Sequence, residues 1–140
     1  MYLVPIIKKN KENKNKILQN VEMKILILGG SQGSKSLNLL LPKVLFNIED
    51  LFVKHQCGKN NFEETEIIYQ KHANDKNKIE IIEYIDNIHE YYGWADIIIC
   101  RAGALTVSEV SASGSLGIFI PLPWAIDNHQ FFDAGGFLKY

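Results

Sequence analysis

The sequence predicts an α/β domain, a parallel sheet with helices packed on its faces. Two observations carry this. Short apolar, β-branched runs at residues 23–28, 51–57, 78–83, 95–99 and 117–121 alternate with segments of helical spacing. Such alternation is the mark of βαβ units, whose strands lie parallel and buried on both sides. The turns rich in glycine or polar residues, at 29–34, 85–87, 101–106 and 121–130, each follow a strand. In a parallel sheet these turns gather on one rim, outside the carboxyl ends of the strands, where ligands bind.

Bulk properties narrow the class further. A chain of 140 residues with 46% hydrophobic and 22% charged residues suits one globular domain with a real core. A net charge of −1 provides no global field for nucleic acid, so no nucleic-acid partner is expected. Cys57 and Cys100 are too few for a disulfide framework or a ligand set, and they fit a reducing compartment as small buried groups. No apolar run approaches the roughly 18–20 residues that span a bilayer. The amino terminus lacks the order of a signal peptide. The expectation is a soluble, cytoplasmic chain.

In chain order, residues 1–22 read as a linker: a short apolar start, then a Lys/Asn tract from Lys8 to Asn20 with almost nothing to bury. The folded domain is expected over 23–140. Residues 23–28 form a near-continuous apolar run, as a central parallel strand requires. After the glycine turn, Leu37, Leu40, Leu41, Val44 and Leu45 recur at helical spacing to about Phe46, with Pro42 expected to kink or shorten the helix. Strand 51–57, helix 62–72, strand 78–83 and the short helix 88–94 follow, the last with an exposed His89-Glu90 edge. Residues 95–99 read as a buried strand and 107–113 as a helix of small residues. A fifth strand occupies 117–121, and the segment from Asp127 onward is polar, then mixed. The whole describes a Rossmann-like sheet with right-handed crossovers.

Three clusters carry chemistry. Residues 29–36 (GGSQGSKS) approach the phosphate-binding P-loop, but Ser34 stands where that pattern needs a glycine before the lysine. What remains is a strand-to-helix turn whose backbone can approach an anion closely, or whose glycines serve only a tight turn. In 101–109 a second strand-to-helix turn aims unpaired N–H groups and a helix dipole at the rim. Its Thr106-x-x-Glu109 spacing reads equally as a capping box or as a carboxylate placed to accept both hydroxyls of a ribose. Asp127-Asn128-His129-Gln130 is either a helix cap or a sugar-hydroxyl contact made by His129 and Gln130. The four histidines, His55, His72, His89 and His129, lack metal-ligand spacing, and no nucleophile elbow is present.

GGSQGS after a strand, Tyr84-Ile85-Asp86, ADIIICRAGALTVSEV, IFIPLP and DNHQ occur here in that order. Together they resemble the nucleotide-sugar half of the MurG family, over residues 23 to about 138. The resemblance implies one half of a GT-B glycosyltransferase of peptidoglycan synthesis. Its donor would be UDP-N-acetylglucosamine (UDP-GlcNAc). Its acceptor would be the C4 hydroxyl of the muramyl pentapeptide on undecaprenyl pyrophosphate (lipid I), converted to lipid II with inversion and with no metal or organic cofactor. By motif match, Ser31 with Ala104, Leu105 and Thr106 would hold the diphosphate, with Gly30, Val107 and Ser108 counted in the same site. The backbone of Ile85 would face the uracil, Glu109 would take the ribose, and Gln130 with His129 the sugar hydroxyls. Full-length members are expected on the inner face of the plasma membrane. Their amino-terminal domain, with its acceptor loops and candidate base, has no match in this sequence, and the carboxyl-terminal part is expected to be cut short. The alternative is a non-catalytic UDP-GlcNAc-binding subunit, or a degenerate fragment, needing a separate acceptor-domain partner. A P-loop phosphotransferase is a third reading, weakened by Ser34.

Overall fold

A computed structural model describes residues 2–4 and 21–121, with Tyr2, Leu3, Val4, Ala104 and Leu105 described by backbone only. The strands are β1 (Tyr2–Val4), β2 (Met23–Leu28), β3 (Leu51–Gln56), β4 (Lys78–Ile82), β5 (Ile97–Arg101) and β6 (Leu116–Ile120). The helices are α1 (Lys35–Leu45), α2 (Phe62–Lys71), α3 (Ile88–Trp94) and α4 (Ala104–Ser113). They build one sheet in the order β1-β6-β5-β2-β3-β4. β2 pairs in parallel with both β3 and β5, β3 with β4, and β5 with β6.

The alternation of side chains along β2 explains why it is central. Ile25 and Ile27 face a core built with Leu37, Leu41 and Leu45 of α1 and Leu51 and Val53 of β3. Leu26 and Leu28 face the other core, with Tyr92 of α3, Val107 and Val110 of α4, Ile98 and Cys100 of β5, and Phe119 of β6. A strand buried on both faces has no polar positions to spare, so it reads as a continuous apolar run. Burial also raises the Cys57 thiol, and raises that of Cys100 to about 12.

Four expectations are corrected. Residues 2–4 are not linker: β1 pairs antiparallel with β6, Leu3 opposite Ile118, and adds a strand to the edge of the sheet. The Lys/Asn tract lies outside the described residues. Pro42, expected to kink or shorten α1, does not shorten it: α1 continues to Leu45, with Pro42 buried. Arg101 belongs to β5 rather than to the turn after it, and α4 begins at Ala104 rather than at residue 107. The segment 127–140 lies outside the described residues.

Strands β2, β3 and β4 run outward to one side, and the chain then crosses back to add β5 and β6 on the other. The reversal lies between β2 and β5. Leu28, the last residue of β2, is the register partner of Cys100, one residue before the end of β5, so the turns that follow the two strands open side by side. In open α/β sheets this switch point is where a crevice forms.

Candidate functional site at the carboxyl edge of the sheet

A cavity of about 320 Å³ occupies that switch point. It is lined by Leu28, Gly29, Gly30 and Ser31 from the end of β2, Gln56 from β3, and Cys100, Arg101 and Thr106 from β5 and α4. Tyr84, Ile85, Ile88 and Tyr92 close its far wall. Three turns that are distant in the sequence therefore meet in one crevice.

The glycine turn is held tightly from below. The Gly29 N–H donates to the Gln56 carbonyl at 3.1 Å, and the Gly33 N–H to the Gly30 carbonyl at 3.0 Å. Gly33 has φ +76°, and a Cβ there would lie 2.0 Å from the Cys57 carbonyl oxygen. That turn thus needs glycine for both conformation and space. Gly30 has φ +81°, with nothing within 4 Å of an added Cβ, because it faces the open crevice. Its N–H is already engaged, donating to Gln56 Oε1 at 3.2 Å. Gly30 therefore shapes the rim, and Ser31, exposed beside it, is the group of this turn that points a hydroxyl at solvent.

α4 supplies the second wall. Its N-cap is Gly103, in extended backbone, and no side chain bonds the first turn from the cap position. The capping-box reading of Thr106 and Glu109 is thereby corrected. Thr106 stands inside the helix, half-buried on the crevice, because the chain enters helical geometry three residues earlier through a glycine with no side chain to compete. An uncapped helix start carries orphan N–H groups and partial positive charge. Arg101 adds a full positive charge to the same crevice. The combination suits an anion.

The remaining expected residues separate. Ile85 lines the crevice with a buried side chain. Val107 does not line the crevice: its side chain is fully buried in the core, and its N–H donates to the Gly103 carbonyl at 2.9 Å. Ser108 is exposed on α4 and does not line the cavity. Glu109 opens on an adjoining hollow of about 350 Å³, shared with His89, Tyr92, Gly93, Ala112 and Ser113. Its Oε2 accepts a 2.8 Å hydrogen bond from Tyr92 Oη. Ala104 and Leu105 open α4, whereas His129 and Gln130 lie outside the described residues.

Gln56, Tyr84, Tyr92 and Arg101 line the crevice without having been singled out as site residues. One signal for Tyr92 was available: it follows Ile88 by four, on the same face of α3, just after the Ile85 turn. Gln56 and Arg101 are the last residues of β3 and β5, the carboxyl ends at which ligand contacts arise in such sheets. Among the described residues, no carboxylate or imidazole lines the crevice.

Comparison with known proteins accounts for this arrangement. Residues 24–139 match the family model described as the glycosyltransferase family 28 C-terminal domain. A relative from Francisella philomiragia, named UDP-N-acetylglucosamine--N-acetylmuramyl-(pentapeptide) pyrophosphoryl-undecaprenol N-acetylglucosamine transferase, is 47% identical over 138 residues. That alignment covers 96% of this chain and 37% of the relative. A relative of the same name from Pseudoalteromonas atlantica is 46% identical over 106 residues, 76% of this chain and 28% of that protein. The crystal structure of Acinetobacter baumannii MurG superposes with a TM-score of 0.78 at 42% identity, over 86% of this chain and 34% of the other. The chain thus spans about a third of the length of the curated relatives it matches. With the doubly wound sheet, the crevice at its switch point and this match over most of its length, the chain belongs to the glycosyltransferase family 28 C-terminal domain family.

Proposed function

We propose that this chain is the donor-binding half of an N-acetylglucosaminyltransferase, and that UDP-GlcNAc binds in the crevice between the ends of β2 and β5. The single observation that carries the reading is the convergence there of the exposed Ser31 turn, Arg101 at the end of β5 and the uncapped start of α4. A nucleoside diphosphate leaving group develops negative charge as the sugar departs, and pre-aimed N–H groups, a helix dipole and a guanidinium stabilise it there. In this reading no metal is needed for that step.

Within the site, Ser31 and Thr106 with the N–H groups of Ala104 and Leu105 take the diphosphate. The Ile85 backbone faces the uracil, and Glu109 accepts the ribose hydroxyls from the adjoining hollow. His129 and Gln130, outside the described residues, take the sugar. The acceptor is proposed to be the lipid-linked muramyl pentapeptide, consistent with the names of the relatives. Among the described residues the crevice presents no carboxylate or imidazole, and activation of the acceptor hydroxyl is assigned to an acceptor-binding half, on this polypeptide or another. Among the described residues, no helix is long and apolar enough to cross a membrane. Contact with a lipid-linked acceptor is assigned to that other half.

Calorimetric titration of UDP-GlcNAc into the full chain, without divalent cation, tests this. Wild type should bind and Glu109→Ala should bind roughly tenfold more weakly, the usual loss when a charged hydrogen-bond acceptor is removed. Equal affinities would remove the ribose assignment. Absence of binding to wild type would remove the donor site.

A further inference from the structure

The Glu109 carboxylate sits on the exposed side of α4 and has, among the described residues, no hydrogen-bond or ion-pair partner other than Tyr92. A glutamate side chain left to itself samples several rotamers, and a ligand that needs one of them must order it. Tyr92 removes that freedom. Its ring is 6% exposed, packed in the core beneath the crevice. Its backbone carbonyl accepts from Ser115 Oγ at 3.2 Å, and the same hydroxyl reaches the Ala95 carbonyl at 2.8 Å. The end of α3 is thereby tied to the turn after α4. The phenol oxygen, fixed by both anchors, donates to Oε2 of Glu109 at 2.8 Å, and Tyr92 is also the side chain that lines both the crevice and the Glu109 hollow. Burial, with the neighbouring carboxylate second, pushes the phenol well above its ordinary range, so it remains a donor at any working pH.

We infer that Tyr92 is the positioning residue of this site: its hydroxyl holds the Glu109 carboxylate with one oxygen engaged and the other turned outward, in the orientation that accepts the adjacent hydroxyls of a ribose. The consequence is specificity, since a rigid acceptor discriminates against a sugar lacking one hydroxyl more sharply than a mobile one does. This rests on the reading of Glu109 as the ribose acceptor. Tyr92 itself need touch no part of the reacting sugar.

The test is calorimetry of the full chain with UDP and with 2′-deoxy-UDP, on wild type, Tyr92→Phe, Glu109→Ala and the double variant. Tyr92→Phe keeps the ring and its packing and removes only the donor; a urea unfolding curve checks that the fold is kept. Wild type is expected to prefer UDP. Tyr92→Phe should weaken UDP roughly fivefold and 2′-deoxy-UDP less than twofold, moving the ratio toward that of Glu109→Ala, and the double variant should lose nothing further in the ratio. If Tyr92→Phe weakens both nucleotides equally, or neither, while Glu109→Ala still collapses the ratio, the positioning role is overturned and the ribose assignment stands. If Glu109→Ala leaves the ratio unchanged, the ribose assignment fails, and the inference with it.

Discussion

Gly30 and Gly33 share one turn but answer to different constraints. Both have positive φ, and only Gly33 has a neighbouring carbonyl, that of Cys57, where a Cβ would go. Gly30→Ala should therefore cost about 1–2 kcal/mol, the price of left-handed backbone alone. Gly33→Ala should cost distinctly more, or prevent folding, because the clash is with backbone that cannot rotate away. Urea unfolding of the two variants checks this, and equal costs would show that the turn is looser than described. The glycine turn could be read in the sequence because glycine after an apolar strand has few other uses. The engagement of the Gly30 N–H by Gln56 could not, since the two are 26 residues apart and nothing local links them. Thr106 and Glu109 illustrate a different limit. Their spacing satisfies the capping box, but a cap forms only where the helix starts, and Gly103 starts it three residues earlier without leaving a side-chain signature.

At the scale of elements, α1, β3 and α2 are joined by a buried polar chain. Asn38 Nδ2 donates to the Cys57 carbonyl at 3.0 Å, which leaves its Oδ1 to accept from His55 Nε2 at 2.9 Å. His55 Nδ1 then accepts from Tyr69 Oη at 2.8 Å, so the imidazole is neutral with its proton on Nε2. Burial lowers its pKa from 6.5 to about 4. The unfolded chain, whose histidine titrates near 6.5, binds this proton more readily than the folded one. Stability is therefore fully present above pH 6.5 and falls as the pH drops toward 4, by about 3 kcal/mol if the whole shift is expressed. Urea midpoints measured across that range should show the fall, and His55→Gln should flatten it. A pH-independent wild type would contradict the burial of a neutral ring. The sequence marked 51–57 as a strand but offered no reason to link its histidine to a polar residue in the leucine-rich α1, because the link is tertiary. Both cysteines are buried, Cys100 within a core. A thiol reagent at neutral pH should label neither Cys57 nor Cys100 in the native chain, with modification following global unfolding. Rapid labelling of Cys100 would show that β5 is not the buried strand described.

At the scale of the whole molecule, the order of strands, the parallel pairing and the gathering of loops on one rim were legible from the alternation of strand and helix patterns. Each is a consequence of burying two-faced apolar strands such as β2 and β5. β1 was not legible. Three residues, too short a run to be read as a strand and separated from the domain by a polar tract, carry no signal for pairing antiparallel with β6. The candidate site was legible in part, as motifs on loops, but not in how it divides. The structure separates a crevice bearing Ser31, Arg101 and Thr106 from a hollow bearing Glu109, with Tyr92 on the boundary. The measurement that tests the central claim most directly is a titration of the isotope-labelled full chain with UDP-GlcNAc, followed by the backbone amide resonances. The account predicts saturable shifts at Ser31, Ile85, Thr106 and Glu109, the rim where the turns after β2, β4 and β5 meet, with α1 and α2 residues such as Lys43 and Ile67 unmoved. Shifts centred on α1 and α2, or none at saturating donor, would contradict it.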